Sequence, residues 1–322
     1  MKKTIAIILT SLMLVMTLAA CQGKSGDESS FGSTTPSSND SASNSSVTST
    51  PVSTTSSSSA PSSTTPNNAY ITVISREDGS GTRGAFVELF GVLDENKVDQ
   101  TADSAEITNS TSVMMTSVAG DLNAIGYISL GSLNDTVKAA KIDGADATVA
   151  NIKNGSYGIS RPFNIAVKES ISALGQDFVE YIMSTDGQDV IEKNGYIRMA
   201  DTGSYSGTKP SGKIVVAGSS SVSPVMEKLI EAYQVINAGA EIELQTSDSS
   251  TGMKSAIDGV CDIGMASREL KDSEIGDGLN SITIATDGIA VIINNGSSVD
   301  GFTKDQVRQI FTGEITRWSE LG

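Results

Sequence analysis

Residues 70–90 read Tyr70-Ile-Thr-Val-Ile-Ser-Arg76-Glu-Asp78-Gly79-Ser80-Gly81-Thr82-Arg-Gly84-Ala-Phe-Val-Glu-Leu-Phe90, and the succession of strand, turn and helix within them decides the fold. The run 70–74 is apolar and β-branched, as a strand requires, and 85–90 has the spacing of a helix start. A Gly/Ser/Thr turn between the two leaves free backbone N–H groups and a positive dipole end at one point. Ser80 and Thr82 add hydroxyl donors. Arg76 adds a planar fork that matches an oxyanion, with Asp78 positioned to hold it. The competing reading is an ordinary Gly-rich turn beside a surface arginine.

The same residues spell Gly79-x-Gly81-x-x-Gly84, the spacing of a dinucleotide-binding turn. That unit needs a second apolar strand ending in an acidic residue about 20 positions on. Residues 94–111 are polar and supply none, so the dinucleotide reading is rejected.

Two more loops repeat the arrangement. Residues 217–224 (Ala-Gly-Ser-Ser-Ser-Val-Ser-Pro) lie between the strand-like 213–216 and an amphipathic helix from 225, with Ser223 expected to cap and Pro224 to open that helix. Capping leaves Ser219, Ser220 and Ser221 unexplained. Residues 246–252 (Thr-Ser-Asp-Ser-Ser-Thr-Gly) lie between the alternating 241–245 and the helical 253–257, with Ser249 or Ser250 as the expected cap. Residues 261–266 and 289–293 suit buried strands, and 176–192 and 304–311 have helical spacing. In open α/β lobes such loops gather at the carboxyl ends of the strands, where ligands bind.

Composition narrows the chemistry. The chain has 322 residues, a formal net charge of −16, two cysteines and no histidine. Without histidine, Ser-His-Asp hydrolysis and His-based zinc sites are excluded, and threonine stands at 251 where a Ser-x-x-Lys enzyme needs serine. No enzyme, metal or cofactor is expected. The acidic balance argues against nucleic acid, so an anion must be held by local dipoles and one or two arginines. The first 20 residues read as a signal peptide, and Leu18-Ala-Ala-Cys21 as a lipidation signal that makes Cys21 an anchor on the extracytoplasmic face of the cell membrane. Residues 21–68, rich in Ser and Thr, read as a disordered tether.

Several blocks together resemble the phosphate-binding lipoproteins of bacterial high-affinity phosphate ABC transporters: SREDGSGTRGAF at 75–86, GSSSVSP at 218–224, SDSSTGMK at 247–254, DIGMASREL at 262–270, DGIAVIIN at 287–294 and FTGEITRWSEL at 311–321. NAIGYISL at 123–130 and SRPFNIA at 160–166 fit later parts of that family. The resemblance implies an α/β, two-lobed periplasmic-binding-protein-like (type II) fold with the ligand cleft between the lobes. It also implies inorganic phosphate as ligand and membrane permease subunits as partners. Carried over by motif, the phosphate ligands are Arg76, Ser80, Gly81 and Thr82 in one lobe, and Ser220, Ser221 and Ser249 or Ser250 in the other. Some members carry an aspartate where this chain has Ser267, and Asp287 is the candidate substitute that would accept the proton of hydrogen phosphate.

The block order departs from the family. GSSSVSP usually opens the mature domain and SREDGSGTRG follows TRWSELG, whereas here SREDGSGTRG comes first. A circular permutant is therefore expected, with 69–160 as one lobe, 161–322 as the other, 199–212 as the permutation joint, and a single crossover near 159–163. The alternatives are a binder of another tetrahedral oxyanion, such as sulfate or molybdate, and a sensory or interaction lipoprotein with a vestigial pocket.

Overall fold

The first strand forms at Thr72–Arg76, and the helix behind the turn starts earlier than its apolar pattern suggests, at Gly81–Phe90. Ser80 accounts for the early start, because its hydroxyl accepts from the Arg83 N–H and caps the helix. Gly91, at φ 73°, ends it in the left-handed conformation that glycine takes without strain. These assignments come from a computed structural model that describes residues 68–321. The signal peptide, Cys21 and all of the tether except Asn68 lie outside the described residues.

One hydrogen-bonded order of strands runs Glu106–Thr108, Thr72–Arg76, Ala124–Ser129, Leu279–Ile293, Ser160–Lys168, Ile263–Ala266, Gly212–Ser219, Ala240–Ser247. The outer pairs on each side are parallel, and the pairs around Leu279–Ile293 are antiparallel. Leu279–Ile293 has 15 residues. Its last five pair with Ala124–Ser129, and its earlier residues pair with Ser160–Lys168.

That strand belongs to both lobes, and this corrects the expected domain division. The first apolar core contains Ile74, Phe86 and Tyr127, and also Ile289, Val291, Val307, Phe311 and Trp318. The second contains Phe163, Phe178, Val216, Leu229, Tyr233, Ile263 and Ile284. Residues from 289 onward therefore pack in the first lobe, not in a second lobe running to 322. The chain crosses twice, between Ile159 and Phe163 and between Ala285 and Ile289. The crossings lie side by side, with Asp287 opposite Arg161 and Gly288 opposite Ser160. The expected single crossover is wrong because the pairing of 289–293 with Ala124–Ser129 joins distant parts of the sequence.

Smaller differences have local causes. The helical run 176–192 is two helices, Ala173–Met183 and Thr185–Lys193, broken where Ser184 accepts from the Gly187 N–H and caps the second. Asp248, rather than Ser249 or Ser250, caps Ser249–Asp258. Ser223 is already inside Ser223–Ile236, and its hydroxyl bonds the Ser219 carbonyl.

Residues 199–212 are tied down rather than loose. The buried carboxylate of Asp177 accepts from the hydroxyls of Tyr205 and Tyr233 and from the Thr208 N–H at 2.7 Å. Asn237 donates to the Pro210 carbonyl at 2.9 Å. Burial pushes the Asp177 carboxyl up, but the hydrogen bonds from Tyr205, Tyr233 and Thr208 outweigh it and hold the group below the ordinary carboxylate range. A depressed folded pKa stabilises the fold above the unfolded value and loses that contribution as pH falls through the folded one. Asp177→Ala, which strands these donors, is expected to cost about 2–3 kcal/mol at neutral pH. Urea unfolding of both proteins at pH 7 and pH 3 checks this, and the difference should shrink at the acidic pH.

Candidate functional site

Four helices start at one place, and their first residues touch each other across the gap between the cores. Gly81–Phe90 and Thr111–Gly120 come from the first lobe, and Ser223–Ile236 and Ser249–Asp258 from the second. Each follows a strand whose carboxyl end points at the gap, so N–H groups and positive dipole ends converge there. Thr82 Oγ1 lies 2.8 Å from Ser221 Oγ, and Thr111 Oγ1 lies 3.2 Å from the same hydroxyl. Ser220 Oγ accepts from Arg76 Nη2 at 3.1 Å. Deeper in, Ser219 Oγ donates to Ser267 Oγ at 3.0 Å, and the Ser267 N–H donates to Ser249 Oγ at 3.1 Å. All of these side chains are buried, Arg76 to 2% exposure.

Arg76 ends its strand and is held in a fork by its neighbour Glu77, Nε to Oε2 at 2.8 Å and Nη2 to Oε1 at 2.7 Å. Asp78, expected to hold Arg76, pairs instead with Arg83 at 2.6 Å. The strand stops at Arg76, so the alternation that would put 76 and 78 on one face does not extend into the turn. Behind the strand, the Tyr127 hydroxyl accepts from the Arg76 N–H at 3.2 Å and meets Ser75 Oγ at 2.8 Å. The Tyr127 ring stacks on Phe86 with centroids 3.9 Å apart, which fixes the strand end.

Of the expected residues, Arg76, Thr82, Ser220, Ser221, Ser249 and Ser267 come together, with Gly81 among them. Ser80 is buried beside them, its hydroxyl capping the helix. Ser250 turns away to accept from Arg268 Nη2 at 3.3 Å, and Arg268 is itself paired with Glu274. Asp287 is one layer back: its carboxylate accepts from the Gly131 N–H at 3.3 Å and pairs with Arg161 at 3.2 Å. Burial pushes the Asp287 carboxyl up to about 6 despite Arg161, and burial lowers Arg161 in turn. Sequence reading missed Thr111, Glu77 and Arg161. Asn109-Ser110-Thr111 before a helix was a fourth copy of the strand, hydroxyl loop and helix pattern.

Chemically this is a nest of donors: rotatable hydroxyls, helix-start amides and a buried guanidinium. Among the described residues no group of metal-ligating side chains assembles. The arrangement is suited to gripping an acceptor-rich anion from two sides.

Two α/β lobes joined by a pair of strands, with a polar cleft at the helix starts between them, define a type II solute-binding protein. The chain matches the model of the PBP superfamily domain over residues 46–186 and 203–322. It is 57% identical over 256 residues to phosphate-binding protein PstS 2 of Streptococcus agalactiae serotype V, covering 78% of this chain and 87% of that one. A crystal structure of a phosphate ABC transporter phosphate-binding protein from Streptococcus pneumoniae TIGR4 superposes with a TM-score of 0.63 at 44% identity, covering 79% of this chain and all of that one. Identity to phosphate-binding protein PstS of Bacillus subtilis strain 168 is 32% over 116 residues, 35% of this chain and 39% of that one. The chain belongs to the PstS family of phosphate-binding proteins, within the PBP superfamily.

Gly81 gives this geometry its sharpest test. A Cβ there would lie 2.5 Å from Ser249 Oγ and 2.8 Å from Ser267 Oγ, both across the cleft. Gly81→Ala should therefore hold the lobes apart while each core stays folded. The expected outcome is an unchanged far-ultraviolet spectrum with a larger radius of gyration in small-angle scattering under ligand-saturating conditions.

Proposed function

We infer that this chain captures inorganic phosphate between its two lobes outside the cytoplasm and hands it to an ABC importer. The observation that carries the reading is the buried donor cluster in which Arg76, Thr82 and Thr111 of one lobe meet Ser220 and Ser221 of the other. A tetrahedral anion with several lone pairs on each oxygen is the complement of such a set, and the relatives are named for phosphate. Capture needs no covalent step. The proposed ligands are Arg76, Ser80, Gly81, Thr82, Thr111, Ser220, Ser221 and Ser249. Ser250 and Asp78 support the loops. Asp287 acts through Arg161, since Arg161 and the Gly131 N–H already engage its carboxylate. A lipid at Cys21 and the tether after it would keep the protein beside its permease.

The circular permutation belongs to the same proposal. Block order supports it. So does the extent of similarity, 256 residues to the streptococcal relative against 116 to the Bacillus one, as expected if the streptococcal chains share the reordering. Arg317 Nη1 donates to the Asn68 carbonyl and the Trp318 N–H to the Ala69 carbonyl, so the two regions that a restored order would join are adjacent. A chain opened within 199–212 and joined from 321 to 68 is expected to fold and to bind phosphate like the original. Loss of folding in that variant would count against the permutation.

Arg76→Ala removes the buried charged partner, a loss of about 2–5 kcal/mol, and should weaken phosphate binding roughly 30-fold to several thousand-fold. Thr82→Ala should cost about 1.5–3 kcal/mol. Calorimetric titration with phosphate, arsenate and sulfate checks both and tests the ligand itself. Preference for sulfate would move the assignment to another oxyanion, and absence of any anion heat would leave the pocket vestigial.

A further inference from the structure

The two crossing strands carry a buried charged pair where the chain passes from one core to the other. Arg161 and Asp287 face each other in register where the chain passes between lobes, and both are buried. They meet through one contact, Nη2 to Oδ2 at 3.2 Å, and the Nε of Arg161 has no hydrogen-bond partner. The pairs Arg76–Glu77 and Arg268–Glu274, by contrast, are two-pronged. Arg161 also lies over the Phe163 ring, 5.3 Å from its centroid, but a buried ion pair with one contact recovers only part of the desolvation cost of its charges, so it is a weak device for stability alone.

The position of the guanidinium suggests what else it does. Arg161 Nη1 donates to the Ser267 carbonyl at 3.1 Å. The Ser267 N–H and hydroxyl in turn bond Ser249 and Ser219, two hydroxyls of the donor cluster. Arg161 also lies within electrostatic reach of Arg76. On its other side, Asp287 takes the Gly131 N–H from the first lobe. The pair thus links a loop of one lobe, both crossing strands and a ligand loop of the other.

We propose that Arg161 is a second cation of the anion site, acting through the field of its guanidinium and through its hold on the Ser267 carbonyl, and that Asp287 is the residue that positions it. This deepens the phosphate assignment and rests on it. The charge of Arg161 partly balances the incoming anion, and the carboxylate of Asp287 offsets that charge. Removing each charge should therefore move affinity in opposite directions, whereas a merely structural pair would respond alike to both losses.

The test measures phosphate and sulfate binding by calorimetry for the wild type, Arg161→Met, Arg161→Lys and Asp287→Asn, with thermal unfolding of each. Arg161→Met should weaken both anions roughly 10- to 100-fold. Arg161→Lys, which keeps the charge, should recover most of that loss. Asp287→Asn should bind both anions several-fold more tightly than the wild type, though its unfolding temperature falls. Asp287→Asn remains decisive if Arg161→Met does not fold. Unchanged affinity in Arg161→Met, or phosphate weakened more than 10-fold with sulfate spared in Asp287→Asn, overturns the proposal. The second result would make Asp287 a direct acceptor of the phosphate proton. A wild type that binds neither anion is a different failure, that of the phosphate assignment itself.

Discussion

Donors outnumber fixed acceptors where the four helices begin, and the organisation of the molecule follows from that imbalance. Helix-start amides cannot be satisfied within their own helices, and the Arg76 guanidinium can only donate. Serine and threonine hydroxyls can donate or accept, so they bond one another across the cleft and also remain available to an anion. Glycine at 79 and 81 lets the backbones close in: Ser250 N–H bonds the Gly79 carbonyl at 3.2 Å, and a side chain at 81 would strike Ser249. Carboxylates stand behind or beside the donors rather than among them, with Glu77 on Arg76 and Asp287 on Arg161. A chain with a formal charge of −16 can hold an anion in this way because the field that matters is local.

The lobes supply the cluster from opposite sides, and the two crossing strands set how they meet. Because Leu279–Ile293 pairs with strands of both lobes, a change of angle between lobes must be absorbed near 285–289 and 159–163. Arg161 and Asp287 occupy that stretch. Binding and hinge geometry are therefore coupled through the Ser267 loop, which Arg161 grips from behind.

Local signals made much of this legible in sequence. A strand, a hydroxyl-rich loop and a capped helix lie within some twenty residues, so 75–84, 218–224 and 247–252 could be recognised one at a time. The fourth loop escaped because its strand, Glu106–Thr108, has three residues, two of them exposed, and carries no hydrophobic pattern. Glu77 rather than Asp78 holds Arg76, because the strand ends at Arg76 and the path of the turn, which no sequence pattern fixes, decides which carboxylate reaches back. The assignment of 289–321 to the first lobe depends on pairing with Ala124–Ser129, and no local pattern announces a partner that remote. Arg161 and Asp287 stand 126 positions apart. Arg161 looked ordinary inside its block, and Asp287, singled out as a proton acceptor, gave no local sign of the arginine it engages instead.

The account stands on one anion being held by both lobes at the helix starts. Crystals of the folded part grown with arsenate, whose anomalous scattering locates the heavy atom without reference to a model, test this most directly. The predicted result is a single tetrahedral site within hydrogen-bonding reach of Arg76 and Thr82 on one side and Ser220 and Ser221 on the other. An arsenate found only outside this cleft, or bound to one lobe with the other swung away, would contradict it.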